Sequence, residues 1–174
     1  VGHAAIGRAT NAAHQLKGIA RHRGVGLEVK DWETHGLDVP LRVNWQAAGE
    51  YLGEDYHRAG GVPAVVAELI AAGRIHEDVI TANGKTIGEN CKDKFSWDRA
   101  VIKEYAKPLM AHAGFKMFSG NLFDSAIMKT SVISDEFRTR TLSNPKDPNA
   151  FESTASVFEG PEDYHAAMSD PKLA

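Results

Sequence analysis

Residues 60–73 constrain this chain more than any other stretch. They read Gly60-Gly61-Val62-Pro63-Ala64-Val65-Val66-Ala67-Glu68-Leu69-Ile70-Ala71-Ala72-Gly73. A proline lacks an N–H and suits the first helical position, while a glycine favours the left-handed geometry that ends a helix. With Pro63 at the start and Gly73 at the stop, the spacing predicts a helix. The rest of the chain must be compatible with one such element. A chain of 174 residues can bury roughly 70 % of its unfolded surface. It therefore needs neither disulfide nor metal merely to fold.

Other elements follow from local pattern. Thr10 and Asn11 have side chains suited to accept from free amides at a helix start. Ala12, Leu16, Ile19 and Ala20 then recur at helical spacing up to a stop at Gly24. Asp31 is expected to cap a short helix over residues 32–35. Residues 37–43, with Pro40, read as extended. Residues 79–82 form a strand candidate before an Asn83-Gly84 turn. Residues 88–110 read as a connector with a helical piece around 97–105. Phe115-Lys116-Met117-Phe118 and Ala126-Ile127-Met128-Lys129 are β-like, separated by Gly120-Asn121. Residues 144–149 read as a polar loop with two prolines, and residues 155–158 as a strand. Gly160-Pro161-Glu162-Asp163 opens a last short helix.

Charge and cysteine content exclude several classes. A net charge of −3, from 20 basic and 23 acidic residues, is no nucleic-acid footprint. The longest apolar runs, residues 62–66 and 69–72, are too short to span a bilayer. No signal-peptide order is visible at the start. The single cysteine, Cys91, excludes an internal disulfide framework and points to a reducing, cytoplasmic compartment. One thiol cannot build a multi-thiolate zinc site or ligate an iron–sulfur cluster.

Two local features could carry chemistry. Gly60 and Gly61 precede a helix whose free amides could meet an anion, although the same glycines equally permit a tight turn. Beside them, Glu54, Asp55 and His57 could make an acid–base or metal site, or stand as solvated charges. The eight histidines show no two-histidine helical pair, so no metal ligand is assigned. Lys92 beside Cys91 could activate the thiol, but no partner histidine is evident. Neither Ser119 nor Ser125 stands in a nucleophile-elbow context.

The stretch Tyr51-Leu52-Gly53-Glu54-Asp55-Tyr56-His57-Arg58-Ala59-Gly60-Gly61-Val62-Pro63-Ala64-Val65 closely resembles one of the IlvD/Edd family of dihydroxy-acid and sugar-acid dehydratases. Four further segments agree in the same order. Thr10-Asn11-Ala12-Ala13-His14 is similar to the family's Gly-Gly-Ser-Thr-Asn helix start, with Gly7-Arg8-Ala9 in place of Gly-Gly-Ser. Asn83-Gly84-Lys85-Thr86-Ile87-Gly88-Glu89-Asn90 is the second. The third, Ser119-Gly120-Asn121-Leu122-Phe123-Asp124-Ser125-Ala126-Ile127-Met128-Lys129-Thr130, looks more like pentonate dehydratases than the branched-chain biosynthetic enzyme. Glu159-Gly160-Pro161-Glu162-Asp163-Tyr164-His165 is the fourth.

The resemblance implies a hydro-lyase that converts a 2,3-dihydroxy sugar acid to a 2-keto-3-deoxy acid. It implies a [2Fe–2S] or [4Fe–4S] cluster as Lewis acid on the 3-hydroxyl, Mg²⁺ on the carboxylate and 2-hydroxyl, and a serine base. It places the cluster cysteines upstream of Val1 and the serine downstream of Ala174. No catalytic residue is therefore assignable here, and neither cofactor is expected to be held by this chain alone. The implied fold class is α/β: residues 1–85 end an α/β N-terminal domain, 86–113 connect, and 114–174 begin a β-barrel-like C-terminal domain. Thr10, Asn11, Glu54, Asp55, His57, Gly60 and Gly61 are expected beside the cleft. The implied partners are a sugar acid, the remainder of the dehydratase chain and further copies in a homo-oligomer, with no nucleic acid and no membrane. The segment alone is expected to be inactive. The alternative is a non-catalytic binding or oligomerisation module derived from such an enzyme.

Overall fold

The computed structural model describes residues 1–7, 9–122, 126–141 and 154–171. They fall in two compact units, Val1–Ile133 and Ser134–Ala174. Arg8, Ser125 and the expected two-proline loop at 144–149 lie outside the described residues.

The first unit begins with α1 (Gly2–Ile6), α2 (Asn11–His22) and α3 (Val29–Gly36). It continues with α4 (Gly53–Arg58), α5 (Gly61–Ala71) and α6 (Ile87–Cys91). A hairpin of β1 (Phe115–Phe118) and β2 (Ala126–Lys129) and a 3₁₀ turn at Thr130–Val132 close it. The core gathers Ala4, Ala5 and Ile6 of α1, Tyr56 of α4, and Ala64, Val65 and Leu69 of α5 around Val39, Val43, Val101 and Ile102. Val39, Val43, Val65, Leu69 and Ile102 are fully buried, each worth about 1.5–3 kcal/mol relative to exposure.

The extended reading of residues 37–43 holds in its second half, where Leu41 pairs with Met110 and Val43 with Ile102 as antiparallel bridges. Residues 97–105 are therefore not a helix. Ile102 is pulled into the core as the partner of Val43, and the helix of this region is α6, nearer the chain start. Residues 79–82 make one bridge, Ile80 to Thr86, and no strand. Val79 and Ile80 are exposed and have no neighbouring ladder to join. The Asn83-Gly84 turn does form, with Gly84 at φ 80° and the Thr81 amide donating to the Lys85 carbonyl at 2.8 Å.

α5 starts at Gly61, so Pro63 stands third in the helix rather than first. That position still lies in the first turn, where no intrahelical donor is needed. α5 and α2 end alike. Gly73 (φ 66°) donates to Ile70 and Arg74 to Leu69, as Gly24 (φ 68°) donates to Arg21 and Val25 to Ala20. This paired closure places a glycine just past the helix and satisfies its last carbonyls. α3 starts at Val29, three residues before the expected position. Asp31 caps it from inside, its carboxylate accepting the Glu28 amide at 2.8 Å.

The hairpin matches the two expected β runs, with Phe115 opposite Lys129 and Phe118 opposite Ala126. It packs on α3 through Phe115 against Trp32, ring centres 5.9 Å apart, and through an ion pair of Lys116 with Glu33. The Ser134–Ala174 unit holds α7 (Asp135–Thr141) and α8 (Pro161–Ala167). α8 has Pro161 in its first turn with Glu162 and Asp163 beside it, as the sequence predicts. Residues 155–158 form no strand, and Val157 is 90 % exposed.

Candidate functional site

The tyrosine-to-valine motif folds as α4, a turn and α5, and its polar groups are largely committed to that turn. In α4 the Glu54 carboxylate pairs with Arg58 one turn later at 2.5 Å, both side chains being exposed. Asp55 accepts the Leu52 amide at 2.9 Å and so caps the helix. His57 is exposed, and its carbonyl accepts from the Gly60 amide at 3.1 Å. Tyr56, between them, faces the core with its ring centre 4.8 Å from that of Trp45. Glu54, Asp55 and His57 thus share one short helix without converging on a common point.

Gly60 is required by two separate constraints. Its φ is 116°, and a Cβ there would stand 2.7 Å from the Phe95 carbonyl oxygen and 2.8 Å from Ala64 Cβ. The Trp97 amide also donates to the Ala59 carbonyl at 3.0 Å. The backbone of residues 95–97 lies over the turn, which favours a tight corner over an anion cradle at Gly60. Gly61 has φ 58°, but a Cβ there would make only ordinary contacts, the nearest with Pro63 Cδ at 3.9 Å.

Thr10 and Asn11 begin α2, but the Thr10 side chain does not cap it. Thr10 already has helical dihedrals (φ −59°, ψ −23°), and the Ala12 and Ala13 amides are taken by the Ala9 and Thr10 carbonyls. Asn11 lines a groove of about 390 Å³ with His3, Ile6, Gln15, Val62 and Val65. The groove brings the start of α2 against the start of α5. Asn11 and the segment beside Gly61 therefore line the same groove, while Glu54, Asp55 and His57 are not part of its lining.

The first unit also holds a charge cluster that the sequence pattern did not disclose. Arg42 is fully buried and donates to Glu68 of α5 at 3.0 Å, to the Lys103 carbonyl, and stacks over Tyr105 at 5.6 Å. Arg99 meets the other Glu68 oxygen at 2.6 Å. Burial raises the Glu68 carboxyl, but the Arg99 hydrogen bond and the two guanidinium charges outweigh it, so it titrates below the ordinary carboxylate range. Arg42 stands in the stretch that reads as extended, residues 37–43. Its partners, 26 and 61 residues away, could not be found from spacing. Trp45 and Lys129 were missed for the same reason.

Cys91 closes α6 and is buried, and burial raises its thiol above the ordinary value, partly offset by Lys94. That disfavours the thiolate a nucleophile or metal ligand needs. One such thiol does not fit an iron–sulfur cluster. Among the described residues no group of three or more His, Cys, Asp or Glu side chains is arranged to hold a metal ion. No helix among them is long and apolar enough to cross a membrane.

Comparison with known proteins adds to this geometry. The model of the dihydroxy-acid/6-phosphogluconate dehydratase N-terminal region matches residues 1–90. The chain is 51 % identical to D-xylonate dehydratase of Caulobacter vibrioides over 98 % of its own length. It is 36 % identical to L-arabinonate dehydratase of Rhizobium leguminosarum bv. trifolii over 98 %, and 34 % identical to dihydroxy-acid dehydratase of Caldanaerobacter subterraneus subsp. tengcongensis over 97 %. It spans 28 %, 28 % and 29 % of those three proteins, respectively.

Proposed function

Because the chain belongs to the dihydroxy-acid/6-phosphogluconate dehydratase family, we propose that it is a segment of a hydro-lyase that dehydrates a pentonate. The observation that carries this reading is the identity of 51 % to a D-xylonate dehydratase, against 34 % to a dihydroxy-acid dehydratase, over nearly the same residues. In the reaction the C3–oxygen bond breaks and the C2 proton leaves, giving an enol that tautomerises to the 2-keto-3-deoxy acid. An electrophile must take the departing hydroxide and a base must take the proton.

In the whole enzyme an iron–sulfur cluster, [2Fe–2S] or [4Fe–4S], and Mg²⁺ supply the electrophilic chemistry when bound. The described residues of this chain do not fit either group. Their one thiol is buried, and Glu54 and Asp55 are held by Arg58 and the Leu52 amide. The role left to Thr10, Asn11, Glu54, Asp55, His57, Gly60 and Gly61 is to shape and orient the cleft, with Asn11 in the groove wall supporting that role. The same proposal has residues 1–85 closing an α/β domain, 86–113 connecting, and 114–174 opening a β-barrel-like domain. It has the enzyme as a cytoplasmic homo-oligomer, with a sugar acid as its ligand and neither nucleic acid nor membrane as a partner.

The test compares the longest natural polypeptide carrying this sequence with the 174-residue chain. Both are reconstituted with iron, sulfide and Mg²⁺ and offered D-xylonate, L-arabinonate and 2,3-dihydroxyisovalerate, with 2-keto acid measured. Pentonate turnover by the long polypeptide alone is expected. Preference of the long polypeptide for 2,3-dihydroxyisovalerate overturns the substrate assignment. Robust turnover by the short chain overturns the claim that it is an inactive segment.

A further inference from the structure

The corner between α1 and α2 is fixed by side chains that arrive from distant sequence. α1 closes at Gly7, whose φ is 71° and whose Cβ, if present, would stand 2.7 Å from Leu41 Cδ1. The two carbonyls at this end do not continue a helix. The Ile6 carbonyl accepts from Trp45 Nε1 at 2.7 Å, and the Gly7 carbonyl accepts from Lys129 Nζ at 2.6 Å. Lys129 ends β2 and reaches across 122 residues to make this bond. Among the described residues it forms no ion pair, and burial alone lowers its pKa. A half-buried ammonium group that trades part of its water for a single carbonyl is a costly way to hold a hairpin, because the carbonyl returns only part of the lost hydration.

What the contact does hold is the corner. Three residues beyond Gly7, Thr10 opens α2, and Asn11 forms the groove wall with Val62 and Val65. A shift of the Gly7 carbonyl moves the start of α2 and that wall with it. We infer that Lys129 is a positioning residue: it sets the α1–α2 corner and, through it, the Asn11 wall against which a sugar acid sits. The substrate part of this inference rests on the dehydratase proposal, while the corner part does not.

The experiment uses the full natural polypeptide and the variants Lys129→Met and Lys129→Arg. The first readout is amide exchange by mass spectrometry. Lys129→Met is expected to speed exchange at residues 9–13 about tenfold, the scale of one lost charged hydrogen bond, and to leave residues 115–118 unchanged. The second readout is kinetics on the preferred pentonate. KM is expected to rise about tenfold with kcat nearly constant, the pattern of lost ground-state positioning. Lys129→Arg, which keeps a charged donor, is expected to recover most of both effects. Unchanged exchange at 9–13, equal loosening of 115–118, or no rescue by arginine overturns the inference. Failure of the parent protein on every sugar acid sinks the dehydratase proposal instead, and the corner then stands or falls on the exchange result.

Discussion

Replacing Glu68 by glutamine removes the counter-charge of a guanidinium that has no access to water. The Arg42 side chain is 0 % exposed, and Glu68, at 21 % exposed, accepts from Arg42 at 3.0 Å and Arg99 at 2.6 Å. Removing one partner of a buried ion pair costs about 3–5 kcal/mol. Water reaches part of the Glu68 carboxylate, and Arg42 keeps the Lys103 carbonyl and the Tyr105 face. The loss should therefore sit at the low end, about 3 kcal/mol. At roughly 2–4 °C per kcal/mol for a chain of this size, Tm should fall by about 6–12 °C. Calorimetry and urea melts at pH 7 measure both quantities. The reasoning assigns the cost to an orphaned charge, so Arg42→Met in the Glu68→Gln background should recover part of it, since an apolar replacement of the whole pair is often neutral. A single variant within about 0.5 kcal/mol of the parent would falsify the assignment. So would a double variant less stable than the single one.

Because the Glu68 carboxyl titrates below its ordinary 4.5 when folded, its contribution is complete above that pH. It is lost as pH falls through the lower, folded-state value, and acid melts from pH 7 downward should show Glu68→Gln losing less stability than the parent. Gly60→Ala should cost about 1–3 kcal/mol from backbone strain alone, and more with the Phe95 carbonyl 2.7 Å from the new Cβ, whereas Gly61→Ala, whose Cβ meets no clash, should cost less. Equal losses in urea melts would contradict that ordering. Thr86→Ala removes the cap of α6, where Thr86 Oγ1 accepts the Glu89 amide at 3.1 Å, and should cost about 1 kcal/mol, with Thr86→Ser restoring most of it. Cys91 should react with a thiol-specific disulfide reagent at pH 8 at least about tenfold more slowly than free cysteine, and at the free rate once unfolded in guanidinium, since burial raises its pKa.

Local chemistry was legible wherever it was local. Gly24 and Gly73 announce their helix ends because left-handed closure is set within six residues. Residues 115–118 and 126–129 announce strands because each pairs with the other across one short connection. The α6 start was equally visible, as Thr86-x-x-Glu89 is a capping box, with the Thr86 amide donating back to Glu89 at 2.7 Å. Residues 88–110 nonetheless read as a connector. The site was less legible. Asp55 and Glu54 looked like candidates for chemistry, yet their partners, Leu52 and Arg58, lie three and four residues away. Arg42, Trp45 and Lys129 looked unremarkable because the groups their side chains hydrogen-bond lie 26 to 122 residues distant. No periodicity encodes such a distance.

The same long spans set an order of events during synthesis. The core segment at residues 39–43 finds its bridge partners only when residues 102 and 110 are available. The corner at Gly7 is not closed until Lys129 arrives. Domains are made from the N-terminus at about 5–20 residues per second, so Leu41 and Val43 wait several seconds for Met110 and Ile102, while α1, α4 and α5 can already pack on one another. Helix formation is faster than that by many orders of magnitude. The three helices can therefore gather before the extended segment is covered, and the bond that seals the Gly7 corner is the last of these contacts to become possible.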